Sequence, residues 1–84
     1  MEKDNVVITL VDHVYRRSMD IEVCLDISAY ELFVGLNEAM GWGCDPRDSR
    51  ACYLAMENPI ALLKGEKLLR NFGIREGSII HFVR

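Results

Sequence analysis

The chain has 84 residues, which is enough for one domain, and we expect that domain to span residues 1–84. Half of the residues are hydrophobic and 27% are charged, a composition that excludes a disordered protein. The net charge of −3 disfavours nucleic acid as a partner. No apolar run approaches the ~18 residues that cross a bilayer, and residues 1–5 carry no signal-peptide pattern. We therefore expect a monomeric cytoplasmic protein that does not insert into membranes.

The first third of the chain predicts a β-hairpin. Residues 5–11 are rich in β-branched side chains and apolar on both sides, which is typical of a central strand. Residues 13–18 are polar and supply the turn. Residues 19–26 then alternate, with an acidic outer row that suits a solvated edge strand. The side chains that should face the core are Met19, Ile21, Val23 and Leu25.

A helix should follow over residues 29–40. Ser28 and Glu31 have the spacing of a capping box, and Gly41 is suited to end the helix in a left-handed conformation. At 100° per residue the apolar side chains occupy one arc of about 120°. The members of this arc are Ala29, Leu32, Phe33, Leu36, Ala39 and Met40.

The rest of the chain predicts short strands joined by loops. Leu68 and Leu69 should be apolar anchors, and Trp42 falls in a loop. The expected strands are residues 51–56, 60–63 and 78–83. The expected loops and turns are residues 41–49, 58–59, 64–66 and 72–77. One helix can cover one face of one mixed sheet of four to five strands, with the first strand beside the last, which is an α+β fold of the β-grasp type.

The closing residues resemble those of ubiquitin. Residues 73–84 read Gly-Ile-Arg-Glu-Gly-Ser-Ile-Ile-His-Phe-Val-Arg, and ubiquitin also has an isoleucine, a polar turn and a serine before an apolar strand that contains a histidine. A closer resemblance is to the bacterial YukD-like (EsaB-like) family of small ubiquitin-like proteins encoded with type VII (Ess/Yuk) secretion systems. Residues 69–74 and 77–83 carry this resemblance.

The resemblance implies a non-enzymatic, cytoplasmic accessory or regulator of type VII secretion. Its expected partner is the FtsK-like ATPase or another membrane component of the apparatus. One alternative is a ubiquitin-like modifier or sulfur carrier, but such proteins end in Gly-Gly and this sequence stops at Phe82-Val83-Arg84. The other alternative is a generic ubiquitin-like scaffold domain.

The cysteines and histidines indicate neither a metal site nor an enzyme. Cys24, Cys44 and Cys52 are an odd number without a Cys-x-x-Cys pair, so we expect free thiols and no zinc, with Cys52 buried. His13 and His81 lack an evident nucleophile and orienting acid, so no catalytic triad is expected. No motif indicates a cofactor.

The remaining candidate is a protein-binding surface on the sheet. Because one helix covers only one face of the predicted sheet, the outward side chains of the third and last strands should be open to a partner. The predicted contact residues are Tyr53, Ala55, His81 and Val83, with Arg50 and Lys64 at the rim.

Overall fold

The computed structural model describes residues 4–48, 52–58 and 60–84. Its elements, in chain order, are β1 (Asn5–Asp12), β2 (Arg17–Cys24), α1 (Ala29–Met40), β3 (Tyr53–Glu57), β4 (Ala61–Leu63), a short 3-10 helix (Leu69–Phe72) and β5 (Ile79–Val83). The five strands form one sheet in the order β2-β1-β5-β3-β4. Strands β1 and β5 are parallel, and the other neighbours are antiparallel. The predicted α+β arrangement, with one helix packed on a mixed sheet and the first strand beside the last, is confirmed.

The predicted hairpin is present, with shifted limits. Strand β2 ends at Cys24, so Leu25 follows the strand, although its side chain is buried. The acidic row at Asp20 and Glu22 is exposed on a sheet edge, as predicted. The prediction of an interior first strand is confirmed, because β1 lies between β2 and β5. Val7 is nevertheless 38% exposed, because it lies on the face of the sheet opposite α1.

The helix begins and ends where the sequence predicts, because its stop and start signals are local. The Ser28 hydroxyl accepts from the Glu31 backbone N–H at 3.0 Å, and the Glu31 carboxylate accepts from the Ser28 N–H at 2.9 Å. Gly41 ends the helix with φ of 69°. The buried members of the apolar arc are Ala29, Leu32, Phe33 and Leu36. Ala39 is exposed, contrary to prediction, because at 100° per residue it lies about 80° from Ala29, at the margin of the arc.

The second half of the chain departs more from the prediction. Strand β3 runs to Glu57, and the predicted start of this strand at Ala51 lies outside the described residues. Leu69 is fully buried, but Leu68 is 36% exposed. The 3-10 helix, which the sequence did not predict, explains this difference. The backbone N–H groups of Leu69 and Arg70 donate to carbonyls between β2 and α1, and this arrangement turns the side chains of Leu68 and Leu69 in different directions.

Trp42 is part of the core, although the sequence predicted only a loop there. Its side chain is buried, its ring stacks on Phe82 with centroids 3.7 Å apart, and its indole Nε1 donates to Asp12 Oδ2 at 2.8 Å. The Asp12 side chain is fully buried. It also accepts from the backbone N–H groups of Val14 and Tyr15. Trp42 therefore connects the end of α1 to the hairpin turn through its hydrogen bond to Asp12.

Arg17 completes this junction from the solvent side. Its Nε donates to Asp12 Oδ2 at 3.3 Å, and another guanidinium nitrogen donates to the Met40 carbonyl at 2.9 Å. Burial on its own raises the pKa of Asp12, but the hydrogen bonds from Tyr15, Trp42, the Val14 backbone and Arg17 outweigh it, so the net pKa lies below the ordinary value.

The cysteine prediction is wrong for two of the three residues. Cys44 and Cys52 form a disulfide, whereas Cys24 is a free thiol. Cys52 is buried, as predicted. The loop after α1 returns to β3 because the Asn37 side chain holds the Cys44 backbone, accepting from its N–H at 2.9 Å and donating to its carbonyl at 2.8 Å. This clamp brings Cys44 to Cys52.

Candidate protein-interaction face

The face of the sheet opposite α1 brings four predicted contact residues together. In the antiparallel register of β3 and β5, Tyr53 lies opposite Val83 and Ala55 lies opposite His81. All four side chains are partly exposed. The residues between them point into the core and are at most 1% exposed, namely Leu54, Met56, Ile80 and Phe82. The alternation expected along these two strands is therefore present.

Two residues extend this surface beyond the predicted set. Val11 of β1 pairs with His81, and Leu62 of β4 pairs with Ala55. Leu62 is 45% exposed, and the four paired residues form one row across four strands. No alternation in the sequence of β1 or β4 marks these two residues, so the strand order was needed to find them. The open sheet face is hereafter the set Val11, Tyr53, Ala55, Leu62, His81 and Val83.

Of the two predicted rim residues, Arg50 and Lys64, the structure describes Lys64. Arg50 lies outside the described residues. Lys64 follows β4 and lines a groove of about 470 Å³ between that strand and the start of α1. Tyr53 lines the same groove, together with Tyr30 and Phe33 of the helix. Lys64 is therefore on the helix side of Tyr53, because the chain has already left β4 and turned toward α1.

His81 is the centre of a chain of hydrogen bonds on this face. Its Nε2 lies 2.6 Å from Glu57 Oε2, and its Nδ1 lies 2.7 Å from Nε2 of His13. The three side chains come from β3, β5 and the turn after β1. Sequence reasoning placed His81 toward solvent but missed its partners, since His13 and His81 are 68 positions apart.

A surface ion-pair cluster lies on another side of the molecule. Arg70 donates to Asp26 at 2.8 Å and to Asp4 at 3.0 Å, which ties the 3-10 helix to the chain before β1 and after β2. The Asp26 hydrogen bond and charge, with Asp4, raise the pKa of the Arg70 guanidinium. All three side chains are at least 39% exposed, so these ion pairs add little to the stability of the fold.

Over the ranges 4–48, 52–58 and 60–84, the structure contains no helix of the length and apolarity that crossing a membrane requires.

The fold is shared with several solved ubiquitin-like structures. A designed protein based on ubiquitin superimposes with a TM-score of 0.72 at 17% identity, over 98% of this chain and 90% of the other. The ubiquitin-like domain of yeast Ddi1 gives a TM-score of 0.73 at 17% identity, over 98% and 91%. The Caldiarchaeum subterraneum ubiquitin gives 0.70 at 15% identity, over 93% and 90%.

No family model and no curated protein sequence matches the chain. The solved structures are similar to it in backbone and topology, at identities that show the fold alone. Together with the strand order β2-β1-β5-β3-β4 and the single helix on one face, these similarities show that the chain has a ubiquitin-like β-grasp fold.

Proposed function

We propose that this chain is a non-enzymatic protein-interaction module that binds its partner through the open sheet face. The observation that carries the proposal is the row of partly exposed side chains from four strands, with Tyr53 and Val83 paired beside it. Aromatic and apolar side chains grouped on a rigid sheet are typical anchors of a protein interface, where a few residues supply most of the binding energy.

The proposal is supported by how little the fold depends on these side chains. They point away from the buried core, so packing does not explain Tyr53 and four aliphatic side chains on one uncovered surface. A patch of this kind on a small protein is a common mark of a binding site.

The test is a double substitution, Tyr53→Ser with Val83→Ser. We expect a loss of stability near 1 kcal/mol, because neither side chain is in the core. Binding to the partner should fall much further, since anchor residues often contribute about 2 kcal/mol or more each. The measurement is affinity capture from the native cell followed by identification of the captured proteins, with the fold of each variant checked by circular dichroism.

A matched control carries the same number of serine substitutions on the outer face of α1, at Val34 and Glu38, which are partly or fully exposed. The control should capture the same partners as the unmodified chain. If the double substitution on the sheet captures them equally well and the helix variant does not, the binding site is on α1 and the open sheet face is excluded.

We further propose that the partner belongs to a bacterial type VII secretion system, with the FtsK-like ATPase as the first candidate and the cytoplasm as the location. The support is the resemblance of residues 69–74 and 77–83 to YukD-like proteins. In this structure residues 69–74 contain the 3-10 helix and its Gly73 end, and residues 77–83 contain the end of the following turn and β5. Deleting the gene should reduce secretion of the WXG-type substrates. Complementation with the unmodified chain should restore secretion, and complementation with the Tyr53→Ser, Val83→Ser chain should not.

A further inference from the structure

A second row of side chains lies beside the open sheet face, on the same side of the sheet, and it ends in a carboxylate on each side. Thr9 of β1 is paired with Asp20 of β2 on one side and with Ile79 of β5 on the other. Ile79 is paired in turn with Glu57 of β3. Because neighbouring strands are about 4.8 Å apart, the two acidic positions at the ends of this row are about 14 Å apart.

A third carboxylate lies on the same side of β2. Glu22 is two positions after Asp20, and both side chains are exposed. Asp20 accepts from the Thr9 hydroxyl at 3.0 Å, and Glu22 accepts from a side-chain amide of β1 at 2.9 Å, so both hydrogen-bond donors are neutral. Glu57 contacts the His81 ring through Oε2, and its side chain is 53% exposed. All three carboxylates therefore present their charge to solvent.

No lysine or arginine of the five strands, as the structure describes them, is on this side of the sheet. Arg17 is the one such residue within a strand, and it is on the helix side, where it donates to the Met40 carbonyl at 2.9 Å. Arg84, directly after β5, donates to the Trp42 carbonyl at 3.3 Å. Lys64, directly after β4, lines the groove beside α1. The strands therefore border the open sheet face with acidic side chains and with no matching cation.

This distribution of charge limits what can cover the face. The phosphate groups of a nucleic acid or of an anionic membrane would be repelled by the carboxylates. A second copy of this chain, placed face to face, would offer carboxylates and no lysine or arginine from its strands. A protein whose cationic side chains flank an aliphatic one is complementary both to the acidic residues and to the apolar row.

We propose that the partner of the open sheet face is a basic protein segment in which lysine or arginine side chains about 14 Å apart flank an aliphatic side chain. The two cations contact Asp20 and Glu57, and the aliphatic side chain packs between them on Ile79, Val11 and His81. An extended segment meets this spacing, since residues four positions apart lie on one side of it and about 13 Å apart. The inference rests on the proposed function, because it names the chemistry of the partner for the same face.

The experiment compares two synthetic peptides by nuclear magnetic resonance titration of isotope-labelled protein at pH 7 in low salt. The first is acetyl-Ser-Lys-Thr-Leu-Thr-Lys-Ser-amide, and the second has glutamate in place of both lysines. We expect the lysine peptide to shift the backbone amide signals of Thr9, Ile79 and His81 and to bind at least about 10-fold more tightly than the glutamate peptide. Added salt should weaken the binding of the lysine peptide, since exposed charges are screened.

Paired variants separate the charge of this face from the net charge of the protein. Asp20→Asn with Glu57→Gln should lower the affinity for the lysine peptide about 3- to 10-fold, the effect of losing two exposed ion pairs. Glu38→Gln with Glu66→Gln removes the same charge from exposed positions on α1 and in the loop after β4, and this control should bind as the parent does. Equal affinities of the two variants would overturn the proposal.

The remaining outcomes distinguish this inference from the proposed function. Equal affinity of the two peptides, with shifts on the open sheet face, would overturn the basic partner and leave the interaction face in place. The absence of shifts on this face with the lysine peptide would also overturn the basic partner, and the serine variants described above test the face itself. A dimer of the parent that the Tyr53→Ser, Val83→Ser chain does not form, measured by analytical ultracentrifugation, would place a second copy on the face instead.

Discussion

Replacing Asp12 with alanine should be among the most destabilising single changes in this protein. Its carboxylate is buried and accepts from the Trp42 indole at 2.8 Å, from the Val14 and Tyr15 N–H groups at 2.9 and 3.1 Å, and from Arg17 at 3.3 Å. The truncation leaves the Trp42 indole N–H without an acceptor inside the core, which costs about 1–3 kcal/mol. It also removes the hydrogen bonds from the Val14 and Tyr15 N–H groups, which contribute about 0.5–1.5 kcal/mol each. We therefore expect a loss of about 2–6 kcal/mol.

The loss is measured by urea unfolding at pH 7, followed by circular dichroism and by the fluorescence of Trp42, the one tryptophan in the chain. Arg17→Ala is the control, because it removes a partner of the same carboxylate from the solvent side, where the Arg17 side chain is 42% exposed. The control should lose about 1 kcal/mol. Equal losses for the two variants, or a loss below about 1 kcal/mol for Asp12→Ala, would refute the assignment of this carboxylate as the centre of the junction.

The same residue predicts a dependence on pH. Because the folded pKa of Asp12 is below its ordinary value of 3.8, the unfolded chain takes up the proton first as the pH falls. The stability that Asp12 contributes is complete above about pH 4 to 5, and it is lost as the pH falls through the folded pKa. The difference in unfolding free energy between the parent and Asp12→Ala should therefore narrow below about pH 4. A difference that stays constant from pH 7 to pH 3 would contradict this reasoning.

Three further predictions concern the helix and the cysteines. Leu36→Ala should cost about 2–5 kcal/mol in urea unfolding, because Leu36 is in the buried arc, whereas Glu38→Ala on the exposed side should change stability by at most about 0.5 kcal/mol. Ser28→Ala should cost about 0.5–2 kcal/mol by removing the capping box, and a melting temperature equal to that of the parent would contradict this. Protein purified without reductant and unfolded in guanidinium should titrate one thiol per chain with a chromogenic disulfide, that of Cys24, and three thiols would mean that the disulfide does not form.

The helix was predictable residue by residue because its signals are short in range. The Ser28–Glu31 pair, the apolar period and Gly41 all act within one or two turns, and the helix bounds followed from them. In the same way, the alternation of inward and outward residues along β3 and β5 predicted which side chains face away from the core. Strand limits were less certain, because the backbone partner and not the side-chain pattern decides where a strand ends.

The features that the sequence did not reveal are contacts between distant positions. Trp42 and Asp12 are 30 positions apart and His13 and His81 are 68 apart, and no local pattern marks either pair. A tryptophan in a polar loop is compatible with a core or a surface position until the strand next to it is known. The disulfide could not be predicted from a local pattern either, because the position of Cys44 depends on the hydrogen bonds between its backbone and the Asn37 side chain.

The parallel pairing of β1 with β5 means that the sheet is completed from its ends inward during translation. On one of its sides, β1 pairs with β5, which the ribosome adds about 70 residues after β1. At about 5–20 residues per second, the nascent chain spends about 4–14 seconds with one edge of β1 unpaired. Unpaired strand edges are templates for wrong pairing with other chains. The open edge of β1 is therefore where we expect wrong pairing to begin during synthesis, until β5 closes the middle of the sheet.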